Sequence, residues 1–124
     1  LPVNERTGCI RSVSIALGNQ YIAIFYPKAK RYSRGNSFST EWGANSHNGF
    51  NIYLWRYSEG FDKRIKIYSG LPYRYSDTSY YSMGWNVEYL LQRAGGIFAD
   101  DYMITIELIG GGVSDTIGPF SFYE

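Results

Sequence analysis

No part of the chain limits its fold more than Asp101 to Ile109, which reads Asp-Tyr-Met-Ile-Thr-Ile-Glu-Leu-Ile. In an extended chain, Tyr102, Ile104, Ile106 and Leu108 fall on one face and Met103, Thr105 and Glu107 on the other. That period of two predicts a half-buried strand. Gly110, Gly111 and Gly112 follow; glycine takes up positive φ without a Cβ clash, so the chain can reverse there and return as a strand near Thr116 to Tyr123. A strand with one apolar face must bury it against a second layer, so the rest of the chain has to supply a facing sheet.

The 124 residues suffice for one hydrophobic core and are too few for two ordinary ones, which predicts a single domain. Tyrosine is used 13 times and glycine 14 times, a bias toward strands and tight turns that predicts an all-β class. Twelve Lys and Arg against 11 Asp and Glu leave a formal charge of +1, so no broad field exists to hold nucleic acid or an anionic membrane. Cys9 is the single cysteine, which excludes an internal disulfide framework and a cysteine-based zinc site. It is expected to be a free thiol packed as a small apolar group. No apolar run is long enough to cross a bilayer, and a chain that opens Leu1-Pro2 suggests a processed, secreted form.

In chain order, Leu1 to Thr7 reads as a polar arm without a core of its own. Gly8 to Leu17 is a strand in which Val13, Ile15 and Leu17 alternate with Ser12, Ser14 and Ala16. Gly18-Asn19-Gln20 breaks it. A second strand covers Tyr21 to Tyr26 and stops at Pro27. Lys28 to Asn36 reads as a basic loop, followed by strands over Ser37 to Trp42, Asn51 to Tyr57 and Arg64 to Tyr68. A tyrosine-rich connection leads into a strand containing Met83, Trp85 and Val87, and Glu88 to Arg93 suits one helical turn. From Tyr21 onward this makes about seven strands, the number and spacing of an immunoglobulin-like sandwich. Residues 1–19 then form an arm and extension, and residues 20–124 the sandwich.

A family resemblance rests on Tyr26-Pro27, on Arg34 to Trp42 (Arg-Gly-Asn-Ser-Phe-Ser-Thr-Glu-Trp), and on Asn51 to Trp55 (Asn-Ile-Tyr-Leu-Trp). It continues through Gly84-Trp85-Asn86-Val87, Asp101 to Ile106, and Gly118-Pro119-Phe120-Ser121-Phe122. This series resembles the immunoglobulin-like domain at the N-terminus of yeast cell-wall glucan-synthesis proteins, found also in secreted microbial surface proteins. The resemblance spans roughly residues 22–122 and implies a fold and an extracellular address, with no catalytic signature. Leu1 to Asn19 lies upstream of the pattern, and the loops around Tyr73 to Tyr81 and Leu90 to Phe98 are particular to this chain.

Catalytic chemistry finds little support in the residues. His47 is the sole histidine and stands in a polar turn, which argues against a triad or a histidine metal cluster. Asp100 and Asp101 are adjacent, so as a carboxylate pair they would point to opposite faces of a strand; turn chemistry explains them better. Calcium at Asp100, Asp101 and Asp115 lacks any EF-hand spacing. Trp42, Trp55 and Trp85 sit in strand phase and are expected in the core. Tyr73, Tyr75, Tyr80 and Tyr81 crowd one connection, where their rings would stack on sugars, contact another subunit, or pack internally.

The N-terminal strand is surplus to the sandwich. It either pairs in cis as an edge strand, or it resembles the donor strands of bacterial chaperone-usher pilins, which complete the fold of a neighbouring subunit. Cys9, Val13, Ile15 and Leu17 would then be the subunit-binding residues. The resulting expectation is an all-β, immunoglobulin-like sandwich with an extra N-terminal strand donated to a neighbour. Such a protein would be a non-enzymatic subunit of an extracellular fibre or pilus at the cell surface. It would need no cofactor or metal, its partners being copies of itself. The alternative is a monomeric carbohydrate-binding wall module that uses the tyrosine-rich loop to hold a surface polysaccharide.

Overall fold

The computed structural model describes residues 3–4, 9–14, 21–27, 30–45, 48–74, 79–110 and 112–124, with the backbone alone for 3–4 and 9–14. The described residues form eleven strands: β1 (Val3–Asn4), β2 (Cys9–Ser14), β3 (Ile22–Tyr26), β4 (Arg31–Ser33), β5 (Ser37–Ala44), β6 (Phe50–Arg56), β7 (Ile65–Gly70), β8 (Tyr73–Arg74), β9 (Tyr80–Asn86), β10 (Ala99–Leu108) and β11 (Ser114–Tyr123). A short helix, α1 (Val87–Arg93), joins β9 to β10. None of the described helices is long and apolar enough to cross a membrane.

The strands form two sheets packed as a sandwich. One has the order β1-β2-β11-β10-β6-β7, with β4 also pairing with β11; the other has the order β3-β5-β9-β8. The alternation read in the sequence sets the packing. Tyr102, Ile104, Ile106 and Leu108 on β10 are all buried, as are Phe50, Ile52 and Leu54 on β6 and Ile117, Phe120 and Phe122 on β11. From the other sheet, Phe38, Trp42, Ala44, Tyr81 and Trp85 join the same cluster. Aromatic rings lock the layers together: Phe50 meets Trp42 edge-on at 5.4 Å and Tyr81 edge-on at 4.8 Å. Thr40, itself buried, accepts a hydrogen bond from Trp85 Nε1 at 2.9 Å, so that indole enters the core with its polar atom paired.

The Gly-rich turn performs as expected. Gly110 and Gly112 have φ of 76° and 65°, and Leu108 N–H donates to Val113 C=O to close the hairpin between β10 and β11. The helical turn expected over Glu88 to Arg93 is also present, started by Asn86, whose side chain accepts from Tyr89 N–H at 3.2 Å. Val87 begins this helix rather than continuing the strand, because Asn86 is its cap. Past the helix, the Tyr102 hydroxyl donates to Ile97 C=O and ties the connection to the first half of β10.

Beyond Tyr73–Arg74, read as part of a connection but paired with β9 as β8, two elements depart from the expected layout. Arg31–Ser33, read as loop, forms β4 by pairing parallel with Ser121–Tyr123. Val3–Asn4, read as part of a featureless arm, pairs with β2 through Val3 opposite Ile10 and Asn4 opposite Cys9. Both strands are too short to show a period and exist because a longer neighbour offers its unpaired edge.

Candidate functional site

The edge of β11 is shared between two strands. Along its first half, Ser114 to Gly118 pair antiparallel with Ser14 to Ile10 of β2, with Asp115 opposite Val13 and Thr116 opposite Ser12. Along its second half β4 takes over. The β4 segment is pinned by Ser121 N–H to Lys30 C=O, by Arg34 N–H to Tyr123 C=O, and by the Arg31 guanidinium 4.6 Å from the Tyr123 ring. Hence β2 covers the stretch of β11 that β4 leaves open.

In this single chain the N-terminal strand lies on its own domain, the cis arrangement of the two readings. Among the described strands, no interior slot awaits another strand. Strand β10 has β6 on one side and β11 on the other, and only the outer edge of β11 receives the extension. Cys9 and Val13 lie on the β2 backbone, while Ile15 and Leu17 fall outside the described residues.

The tyrosines proposed as a contact loop do not converge. Tyr73 is 66% exposed on β8, opposite Ser82, and Tyr75 falls outside the described residues. Tyr80 stacks on Phe25 at 5.6 Å on the outer face of the four-stranded sheet. Tyr81 is fully buried, stacked on Trp42 at 5.9 Å and edge-on to Phe50 at 4.8 Å. Burial raises its phenol pKa, against a smaller opposing effect of Arg74. As neighbours in one strand, Tyr80 and Tyr81 must point to opposite faces, so Tyr81 is corrected from surface contact to core residue.

The three aspartates also lie apart. Asp100 is exposed at the start of β10. Asp115 is buried between the sheets, where its carboxylate accepts from Ile24 N–H of β3 at 2.8 Å and from its neighbour Thr116 N–H at 2.9 Å. That carboxylate bridges the sheets. Among the described residues no three His, Cys, Asp or Glu side chains gather to hold a metal; His47 is outside them. Surface hollows lie among the described residues, two of them on charged or polar ground. One of about 410 Å³ runs over Ser37, Ser39, Gly84 and Asn86, and one of about 290 Å³ lies beside the exposed Arg34–Glu88 ion pair.

Asp101 has a structural task. It pairs with Arg56 Nε at 2.9 Å and accepts from Ser58 N–H at 2.8 Å, while its own carbonyl accepts from Tyr57 N–H. Burial alone would push its carboxyl up, but the hydrogen bonds from Ser58 and Arg56 outweigh this and hold it at about 2. A depressed carboxyl stabilises the fold above the unfolded pKa and loses that contribution as pH falls through the folded one, here from about 4 to about 2. Asp101→Asn should therefore cost about 1–2 kcal/mol at pH 7, allowing for partial exposure. The deficit should shrink over that acid window in urea melts; a deficit equal at pH 7 and pH 2 would refute the assignment.

Sequence reasoning missed a surface that this turn supports. Trp55 was expected in the core, but its parity places it with Tyr53 on the outer face of β6, half-buried. Its Nε1 donates to Thr105 Oγ1 at 2.9 Å, and Thr105 Oγ1 lies 2.8 Å from Thr116 Oγ1. Tyr57 lies near-parallel to Trp55, at 6.4 Å and 28°, and Phe61 meets Trp55 edge-on at 5.4 Å and 81°. The Arg64 guanidinium lies 4.4 Å from the Phe61 ring and 5.1 Å from the Tyr53 ring. The signal was present in Tyr53 and Trp55, whose parity opposes that of Ile52 and Leu54.

No family model, curated protein or solved structure matches this chain. The β11 edge and the aromatic face of β6 are thus the two surfaces from which function has to be argued.

Proposed function

We propose that this chain is a structural subunit of an extracellular fibre or pilus, an immunoglobulin-like sandwich that polymerises by passing its N-terminal strand to the β11 edge of the next subunit. The immunoglobulin-like part of the reading is supported by the sheet orders β3-β5-β9-β8 and β4-β11-β10-β6-β7 and by the early strand that divides between both sheets as β3 and β4. It is supported too by a tyrosine near the start of a central strand whose hydroxyl returns to the backbone just upstream, the role of Tyr102. The resemblance to secreted cell-wall proteins points to the same fold and to an extracellular address.

The division of the β11 edge is the observation that carries the assembly. An extension that adds only to an edge can be exchanged between copies with its register kept, because an identical segment forms identical main-chain bonds. Each subunit would give one strand and receive one, a head-to-tail contact that need not close and so builds a filament. An edge left uncovered exposes unpaired backbone groups, which favours its being filled by one route or the other.

The register supplies the test. Ser12 lies opposite Thr116, so Ser12→Cys with Thr116→Cys, in a Cys9→Ser background, places two thiols at cross-strand positions. Oxidation of material incubated at high concentration should give a ladder of covalent oligomers on non-reducing gels, with fibres in negative-stain images. Cross-linked monomer alone, without fibres, would refute exchange and leave β2 as a cis edge strand.

A further inference from the structure

We infer that the outer face of β6 and the turn after it form a binding surface for a neutral saccharide chain, centred on Trp55 and Tyr57. This surface is separate from the assembly edge, since β11 and β10 lie between β2 and β6.

The first argument is preorganisation. Tyr57 is 65% exposed and Phe61 37% exposed, yet the turn that carries them is held by six backbone N–H bonds. Tyr57 N–H and Ser58 N–H bond Asp101, Glu59 N–H and Gly60 N–H bond Arg56 C=O, Lys63 N–H bonds Gly60 C=O, and Arg64 N–H bonds Phe61 C=O. Rings held out to water by such a turn lose little further freedom when a ligand binds. Phe61 buttresses Trp55 edge-on, and the Tyr57 ring stands near-parallel to Trp55 with its own outer face open to water.

The second argument is chemical. A pyranose has an apolar face of C–H bonds and a rim of hydroxyls, and flat rings bordered by hydrogen-bonding groups complement both. Arg64 supplies hydrogen-bonding capacity at the rim: one of its five N–H donors is used on Phe61 C=O, and the guanidinium lies 4.4 Å from the Phe61 ring and 5.1 Å from the Tyr53 ring. Charge selects against ionic ligands. Glu59, Asp62 and Glu107 balance Lys63, Arg64 and Lys66, and Arg56 is paired with Asp101, so the surface presents no net field to a polyanion. Size argues against a protein partner, because a stable interface engages about 20–30 residues a side, whereas here two exposed rings and the half-buried Trp55 stand among charged side chains.

Affinity electrophoresis tests the inference, using native gels cast with laminarin, mannan or hydroxyethylcellulose, and with heparin as the charged comparison. At least one neutral polysaccharide should retard the chain. Tyr57→Ala should weaken that retardation about tenfold or more, equivalent to about 1.4 kcal/mol. Tyr73→Ala, which removes an equally exposed ring from the other sheet, should leave it unchanged. Melting curves for both variants should match the parent, since neither ring is in the core. No retardation by any neutral polysaccharide, retardation by heparin alone, or equal retardation of Tyr57→Ala would each overturn the inference. So would a change in sedimentation of Tyr57→Ala without polysaccharide, which would assign the rings to a contact between copies. None of these outcomes bears on the cysteine cross-linking ladder, so this inference and the assembly reading fail separately.

Discussion

Replacing Ile106 by alanine is expected to lower the unfolding free energy by about 2–5 kcal/mol. Ile106 is completely buried on β10, flanked in register by Ile52 of β6 and Asp115 of β11. Deleting three methylene-sized groups there removes their transfer free energy and leaves a void. The void cannot close by a backbone shift, because β10 is hydrogen-bonded to a strand on each side over most of its length. A site this constrained belongs toward the upper part of that range. Urea melts with an unchanged m-value would measure the loss. A change below about 0.5 kcal/mol is what surface positions give, and would mean that β10 is not the central strand.

Gly118→Ala should be comparably damaging, for a reason that has nothing to do with apolar burial. Gly118 has φ of 148°, a conformation that side-chain-bearing residues rarely adopt. A Cβ added there would stand 2.8 Å from the Tyr102 carbonyl oxygen and 2.8 Å from Met103 Sδ. The sulfur can swing aside, but the carbonyl belongs to the backbone of β10 and can retreat only by disturbing its ladders. Strain of about 1–3 kcal/mol from the backbone and a similar amount from overpacking predict a combined loss of about 2–6 kcal/mol. Gly35→Ala is the matched comparison, since nothing lies within 4 Å of a Cβ built there, and it should be close to neutral. Equal melting of the two variants would show that the strands do not approach at Gly118 as described.

Much of the architecture was legible because its determinants are local. Alternation over Asp101 to Ile109, Ser37 to Trp42 and Asn51 to Tyr57 marked β10, β5 and β6, and Gly110 to Gly112 marked the reversal into β11. The helical turn read over Glu88 to Arg93 is α1, although the cap that starts it at Asn86, one residue ahead of Val87, emerged only in the structure. Where the reading failed, the missing information was not local. Arg31 to Ser33 has no period to detect, and becomes a strand only because the second half of β11 needs a partner. Trp55 was assigned inward because it is large and apolar, yet Ile52 and Leu54 had already taken the inner face of β6. Tyr80 and Tyr81 were grouped as one contact, although adjacent strand residues face opposite ways, and their neighbours Phe25 and Trp42 belong to other strands.

The sequence by itself determined the class, the main strands and the turns, because period and glycine placement act over a few residues. Tertiary structure alone decided which strands lie side by side in each sheet, since the alternation that sets each strand's inner face says nothing of its neighbours. It also decided which strand lies beside β11, and that Tyr57 and Phe61 come to stand beside Trp55, because pairing is chosen by backbone groups brought together from distant parts of the chain.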